Sequence, residues 1–197
     1  MFANRFTALV DACVLAGAMK RNLLCTLAEA EFFRIRWSDR ILDETEGAIA
    51  TMLAAKGESE APAKAGQARE KLAIAFEDAM VTDYEHLVCV CNGSIPDPKD
   101  AHVIAAALKT QAAIIVTDNL RDFPLPFLAR LNLDARSADE FIADSIALDP
   151  GRAVAALKKM RLRLKQPALT AEALLETMDA RSLPETVNIL KPHVQSL

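Results

Sequence analysis

The chain has 197 residues, 52% of them hydrophobic, which allows one substantial domain with a buried core plus a small appendage and excludes a disordered chain. No stretch of about 18 apolar residues runs free of charge, so no membrane span is expected, and four cysteines, Cys13, Cys25, Cys89 and Cys91, are too few for a disulfide framework, which points to a cytoplasmic protein with free thiols. The net charge of −4 is uneven: residues 1–149 carry 15 basic and 23 acidic residues, residues 150–197 carry 8 and 4, so an acidic body suited to cations precedes a basic tail suited to an anionic partner.

The opening apolar run is broken by Asp11 and leads to Lys20 and Arg21, which argues against a signal peptide. Residues 6–10 predict a buried strand closing on Asp11. Residues 23–33 predict a helix and residues 34–37 a short alternating strand. Ser38 is placed to cap a helix over 38–53, with Asp39 in its first turn and an inward stripe of Ile41, Thr45, Ala48, Ile49 and Met52. Residues 57–66 predict a polar loop and residues 67–80 a helix. The run 86–91 (HLVCVC) is the next strand candidate, with Cys89 and Cys91 on one face of it; Cys13 and Cys25 are expected as small core residues.

Asp97-Pro98-Lys99-Asp100 predicts a helix start running to about Thr110, with Asp97 as N-cap and Pro98 in the first position. Residues 113–117 (AIIVT) form the clearest strand in the chain, bounded by Asp118 and Asn119. A loop over 123–126, a short strand over 133–136 and a Ser137-capped helix to about Leu148 follow. Strands alternating with helices predict an α/β layer with a mostly parallel sheet. A break at Asp149-Pro150-Gly151 precedes three amphipathic helices: one carrying Ala153, Leu157, Met160 and Leu164, one capped by Thr170 with Leu174, Leu175 and Met178, and one with Leu183, Val187 and Leu190. The expected domains are therefore residues 1–148 and a helical extension over 149–197.

In an open parallel sheet, function gathers at the carboxyl ends of the strands. Two predicted strands end there in acids, at Asp11 and Asp118. An Asp that merely begins a turn explains each alone. Asp100, however, starts the buried stripe of its own helix, followed by Val103, Ile104, Ala107 and Leu108, and an inward carboxylate needs a cation or strong donors. Glu44 lies beside the inward stripe of its helix. Carboxylates pressed together repel one another, and divalent cations stabilise such clusters. Mg²⁺ and Mn²⁺ prefer oxygen ligands and can activate water and neutralise a phosphodiester. No Gly-rich phosphate loop, GxSxG or HExxH motif offers another mechanism. His86, His102 and His193 are scattered, and His102 is expected on solvated helix surface.

These segments resemble the PIN-domain family. LVDACVL at 9–15, WSDRILDE at 37–44, DPKDAHVIAAAL at 97–108 and IIVTDNLRDFP at 114–124 are similar, in order and spacing, to its four motifs, and most of all to the VapC-type toxins. The resemblance implies a three-layer α/β/α fold over residues 6 to about 145 and cleavage of RNA with Mg²⁺ or Mn²⁺. It implies Asp11, Glu44 and Asp100 as the first three acids. Many relatives carry the fourth acid two residues after the Thr, where this chain has Asn119, leaving Asp118, Asn119 or Asp122 to complete the set, with Thr117 orienting it and Asp97 supporting it. It also implies a homodimer and a cognate antitoxin partner.

The basic run Lys158, Lys159, Arg161, Arg163 and Lys165 is open to three readings: a solvated helix face, RNA phosphate contact, or antitoxin docking. No aromatic residues interleave it, so base stacking is not expected. Two other functions compete with the nuclease. A non-catalytic PIN module binding RNA or a protein would accommodate Asn119. A haloacid-type phosphatase expects a second Asp at position 13, which is a cysteine.

Overall fold

The computed structural model describes residues 6–164 and 168–197. Their contacts group into two compact units, one formed by residues 6–17 and 34–136, the other by residues 18–33 and 137–197.

The first unit is built on a five-stranded, fully parallel sheet in the order β3-β2-β1-β4-β5. Its strands are β1 (Thr7–Val10), β2 (Arg34–Ser38), β3 (Met80–Val81), β4 (Ile114–Val116) and β5 (Asp134–Arg136). Parallel strands are covered on both faces, so they carry continuous apolar runs instead of an alternation. Ala8, Leu9, Val10, Ile115 and Val116 accordingly have no exposed surface. From β1 the chain builds outward through β2 to β3, then returns to add β4 and β5 on the other side of β1. The strand order therefore reverses between β1 and β4, and at such a point the carboxyl ends of the two strands border a crevice. The α/β class with a parallel central sheet is the one expected from the sequence.

After Val10 the chain turns directly into α1 (Ala12–Leu15), capped by Asp11. α3 (Asp39–Ala54) is capped by the Ser38 hydroxyl, which accepts from the Ile41 N–H at 3.2 Å. Ile41, Thr45 and Ile49 of its expected stripe are buried, but Met52 is 42% exposed. Gly57, at φ +79°, closes the end of α3. α4 then begins at Ala61 and ends at Ala75, with Pro62 in its first turn. The segment 57–66, expected as a loop, is thus half helix, and the helix expected over 67–80 ends early. The buried face of α4 rests on Ala61, Ala65 and Leu72, and alanine favours helix without marking a hydrophobic stripe. Arg69 ties α4 back to Asp39, Asp43 and Glu46 of α3.

The run 86–91 is no strand. It lies in a 3₁₀ helix, Glu85–Cys91, in which Cys91 is buried while Cys89 and Val90 are exposed. The edge of the sheet is taken by Met80–Val81, paired with Trp37 and Ser38. α5 (Ala101–Lys109) packs on this 3₁₀ helix and on β1, β2 and β4. α6 (Leu125–Arg130) starts inside the expected 123–126 loop.

The second unit is helical: α2 (Ala18–Glu29), α7 (Ala138–Leu148), α8 (Pro150–Arg163), α9 (Ala171–Asp179) and α10 (Pro184–Leu190). α2 starts five residues before its expected position and stops before Phe33. Glu31, at φ +63°, adopts the left-handed conformation that ends helices, and the Phe32 N–H closes on the Leu27 carbonyl at 3.0 Å. Ser137 and Glu140 form a reciprocal capping box on α7, and Thr170 caps α9. The expected apolar faces of the last three helices are buried at Ala153, Leu157, Met160, Leu174, Met178, Leu183, Val187 and Leu190. Phe33 meets Phe141 edge-on at 4.8 Å, and the Arg152 guanidinium lies 4.3 Å above Phe32. Among the described residues no helix is long and apolar enough to cross a membrane.

Candidate functional site

β1 and β4 lie in register from Ala8–Ile114 to Val10–Val116. The next residues of the two strands are Asp11 and Thr117, and they meet at the strand-order reversal. The Asp11 N–H continues the ladder to the Val116 carbonyl at 3.0 Å. Its carboxylate is 8% exposed and held on both oxygens: Oδ1 accepts from the Ala12 N–H at 2.7 Å, Oδ2 from the Thr117 hydroxyl at 2.7 Å. Charge-assisted bonds of this length fix a carboxylate in orientation. The Cys13 thiol lies 3.2 Å from the same Oδ2 and 3.4 Å from Thr117 Oγ1. Burial first, then the neighbouring Asp11 charge, pushes that thiol up to about 12, so it stays protonated. Cys13 is therefore no plain core residue: it is partly exposed and lies beside the first acid.

Asp100 ends the 3₁₀ turn Pro98–Asp100, which Asp97 caps through the Lys99 N–H at 2.9 Å. At the head of α5 its own carboxylate caps nothing. Burial pushes the Asp100 carboxyl up from 3.8 to about 6, and the charges of Asp11, Asp97, Asp122 and Glu44 push in the same direction. Four acids from four separate segments thus bear on one carboxyl group.

Glu44 sits on α3, where Oε1 accepts from Arg40 Nε at 3.2 Å; Arg40 also donates to the Lys99 carbonyl at 3.3 Å. Arg40 so links the helix of Glu44 to the turn of Asp100. Both partners of the Arg40–Glu44 pair are substantially exposed, and such a pair constrains Glu44 only weakly.

At the fourth position the three candidates lie in different surroundings. Asp118 is exposed and is not among the acids acting on Asp100. Asp122 is among them, with its side chain only 15% exposed. Asn119 donates its amide to Asp122 Oδ2, while its own N–H bonds Thr117 Oγ1 at 3.1 Å. Asn119 therefore links Asp122 to Thr117. Asp97 caps the turn and adds to the field on Asp100.

His102, expected on solvated surface, is 2% exposed. The first two turns of α5, Ala101 to Ala107, are buried at every position, so that stretch has no outward face to receive a histidine. The signal was present in AHVIAAAL, which is apolar in every direction. Nε2 of His102 lies 3.2 Å from Glu44 Oε1 but out of line for a hydrogen bond, and Nδ1 also has no partner. Burial first, then Arg40, lowers the imidazole to about 4, so it is neutral.

Among the described residues no three His, Cys, Asp or Glu side chains are already closed around one point as a metal cage. The donor chemistry nevertheless fits a hard divalent ion. The cluster is carboxylate oxygen, its charges are mutually repulsive, and Mg²⁺ retains waters between itself and its ligands.

In the basic run, Lys158 donates to the Ser196 carbonyl at 3.2 Å, and Arg161 donates to the carbonyls of Leu169 at 2.7 Å and Leu197 at 3.3 Å. These two hold the chain's own backbone, which fits the solvated structural face among the three readings of this run. Lys159 and Arg163 line a groove of about 370 Å³ with Arg152, Thr26 and Glu29. Lys165 lies outside the described residues.

A parallel α/β protein with an acidic cluster at its strand-order reversal is the class these features define. The PIN domain family model matches residues 7–121, more than half of the chain, and the chain belongs to the PIN-domain family. Residues 138–192 match the model of the VapC50 C-terminal domain, so the chain has a VapC-like arrangement with a C-terminal extension. A curated relative from Mycobacterium tuberculosis (strain ATCC 25618 / H37Rv), named "Putative ribonuclease VapC50", is 31% identical over 100 residues, which span 51% of this chain and 57% of the relative. No solved structure matches the chain.

Proposed function

We propose that the chain is a Mg²⁺- or Mn²⁺-dependent endoribonuclease of the cytoplasm, the toxin of a VapBC-type toxin–antitoxin pair. The observation that carries this reading is the buried Asp11 carboxylate, held on both oxygens by Ala12 and Thr117 where β1 and β4 end side by side, with burial and the acids Asp97, Asp122 and Glu44 raising the Asp100 carboxyl nearby. Asp11, Glu44, Asp100 and Asp122 would hold the cation. When bound, it supplies Lewis acidity toward an RNA phosphodiester and the attacking water.

The chain's own residues do the remaining work. The Thr117 hydroxyl and the Ala12 N–H aim the two oxygens of Asp11. Asn119 steadies Asp122. The Arg40 guanidinium, half exposed beside Glu44, is a donor available to a phosphate oxygen. Lys159, Arg163 and Arg152 give the helical unit a basic groove for the RNA backbone. Inhibition by an antitoxin, which the VapC50 likeness supports, and assembly as a homodimer belong to the same reading; light scattering of the chain alone and with a candidate antitoxin tests both.

The test of activity is to map cleavage ends on total RNA after brief expression, beside Asp11→Asn. New ends that require Mn²⁺ and vanish in the variant support the reading. A second reading, a non-catalytic PIN module that binds RNA or protein, is favoured by the absence of a closed cage among the described residues and by Asn119 at the fourth position. A thermal melt that does not respond to Mn²⁺ supports this second reading.

A further inference from the structure

α5 lies against β1, β2 and β4, and its second residue, His102, is 98% buried by the 2% exposure of its side chain. A buried imidazole is ordinarily fixed by a partner on at least one nitrogen. Here neither has one. Glu44 Oε1 lies 3.2 Å from Nε2 without making a hydrogen bond to it. His102 is enclosed, whereas Glu44, with its side chain 41% exposed, can turn. The two atoms are within hydrogen-bond distance, so only their alignment is missing. The same carboxylate is one of those bearing on Asp100.

We propose that His102 is the positioning residue of the acidic site: its Nε2–H donates to Glu44 and sets that carboxylate for a divalent cation shared with Asp11 and Asp100. The inference rests on the reading of the acidic cluster as a cation site. An immobile donor behind an exposed carboxylate removes the freedom that Glu44 otherwise loses on binding. Partners of this kind commonly set metal affinity as strongly as some ligands do. Arg40 does not substitute, because both partners of the Arg40–Glu44 pair are substantially exposed and such a pair constrains the carboxylate only weakly.

The test is Mn²⁺ binding by calorimetry and electron paramagnetic resonance on the full chain. The proteins compared are the wild type, His102→Leu, His102→Gln, Glu44→Gln and the His102→Leu/Glu44→Gln double variant. We expect His102→Leu to weaken Mn²⁺ binding about 10- to 100-fold and His102→Gln, which retains an amide donor, to recover most of it. In the Glu44→Gln background the leucine change is expected to alter affinity by less than about twofold, since the pair acts as a unit. The metal-free melting temperature of His102→Leu is expected to stay level or rise, because the change removes unpartnered buried nitrogens. Wild-type affinity in His102→Leu overturns the inference, as does an equal loss with and without Glu44. Should His102→Leu fail to fold, His102→Gln decides: the inference requires near-wild-type Mn²⁺ binding in that variant, reduced by adding Glu44→Gln to the affinity of Glu44→Gln alone. A wild type that takes up no Mn²⁺ overturns the cation-site reading itself, and the inference with it.

Discussion

Thr117 donates its hydroxyl proton to Asp11 Oδ2 over 2.7 Å, joining residues 106 positions apart at the point where the strand order reverses. The same hydroxyl oxygen accepts from the Asn119 N–H at 3.1 Å. One buried oxygen thereby orients the first acid and anchors the segment that carries Asn119 and Asp122. Thr117→Val is expected to lower RNA cleavage by about 10- to 100-fold and stability by about 1 kcal/mol, with Thr117→Ser restoring both. Initial rates and thermal melts of the two variants check this; a Thr117→Val enzyme as fast as the wild type would refute the role.

Asp11→Asn and Asp100→Asn are each expected to reduce metal-dependent cleavage by about 10³-fold or more, because each removes a charged oxygen ligand. Both variants are expected to fold. Cleavage assays run beside circular dichroism separate loss of chemistry from loss of structure. Full activity in either variant removes that residue from the site.

The Asp100 carboxyl also predicts a pH dependence. Its folded value of about 6 lies above its ordinary 3.8, so between these the folded chain holds a proton that the unfolded chain has released. This contribution to stability is present at low pH and is lost as pH rises through about 6. In metal-free protein near pH 7, Asp100→Asn is therefore expected to be more stable than the wild type. The gain is about 1 kcal/mol once solvent screening is allowed for, and it shrinks as pH falls toward 4. Paired melts across that range in chelator measure it. A destabilised Asp100→Asn at neutral pH would contradict the repulsion that the site is built on.

In the helical unit, Asp139 of α7 is 8% exposed and accepts from the Glu185 and Thr186 N–H groups, each at 2.8 Å. These are amides of the first turn of α10, which have no carbonyl partner within their own helix. Asp139→Ala is expected to cost about 2 kcal/mol, or about 4–8 °C in melting temperature. Hydrogen exchange should show the loss concentrated over residues 184–190. Uniform protection across the unit would count against this anchoring.

Lys159 and Arg163 are expected to act on RNA affinity and not on chemistry. Alanine at either should flatten the logarithmic dependence of binding on salt by about 1. Alanine at Lys158 should leave that slope unchanged, because its ammonium is bound to the Ser196 carbonyl. Binding measured at several salt concentrations with an Asp11→Asn background avoids cleavage. Equal slopes for all three variants would assign the basic helix a structural role only.

Much of this was legible in the amino-acid order. The runs at 6–10 and 113–117 are strands because continuous apolar residues suit a parallel sheet covered on both faces. Ser38, Asp97, Ser137 and Thr170 each cap the turn or helix they were expected to cap, since a cap is a bond between residues two or three apart. Where those local rules lose their contrast, the reading failed. α4 hides its buried face in alanines, and the valines and cysteines of 86–91 form a 3₁₀ helix while Met80–Val81 takes the place beside β2.

By itself, then, the sequence determined which strands close on acids, which residues cap the helices, and that Asp11, Glu44 and Asp100 are the acids to examine. Only the tertiary structure shows that Asp122 is largely buried and bonded to Asn119 while Asp118 is exposed, that Cys13 lies against Asp11, and that His102 is enclosed beside Glu44. Caps and periodic faces depend on neighbours along the chain. The burial and field at a carboxylate come instead from groups that are distant in sequence and adjacent only once the sheet has formed.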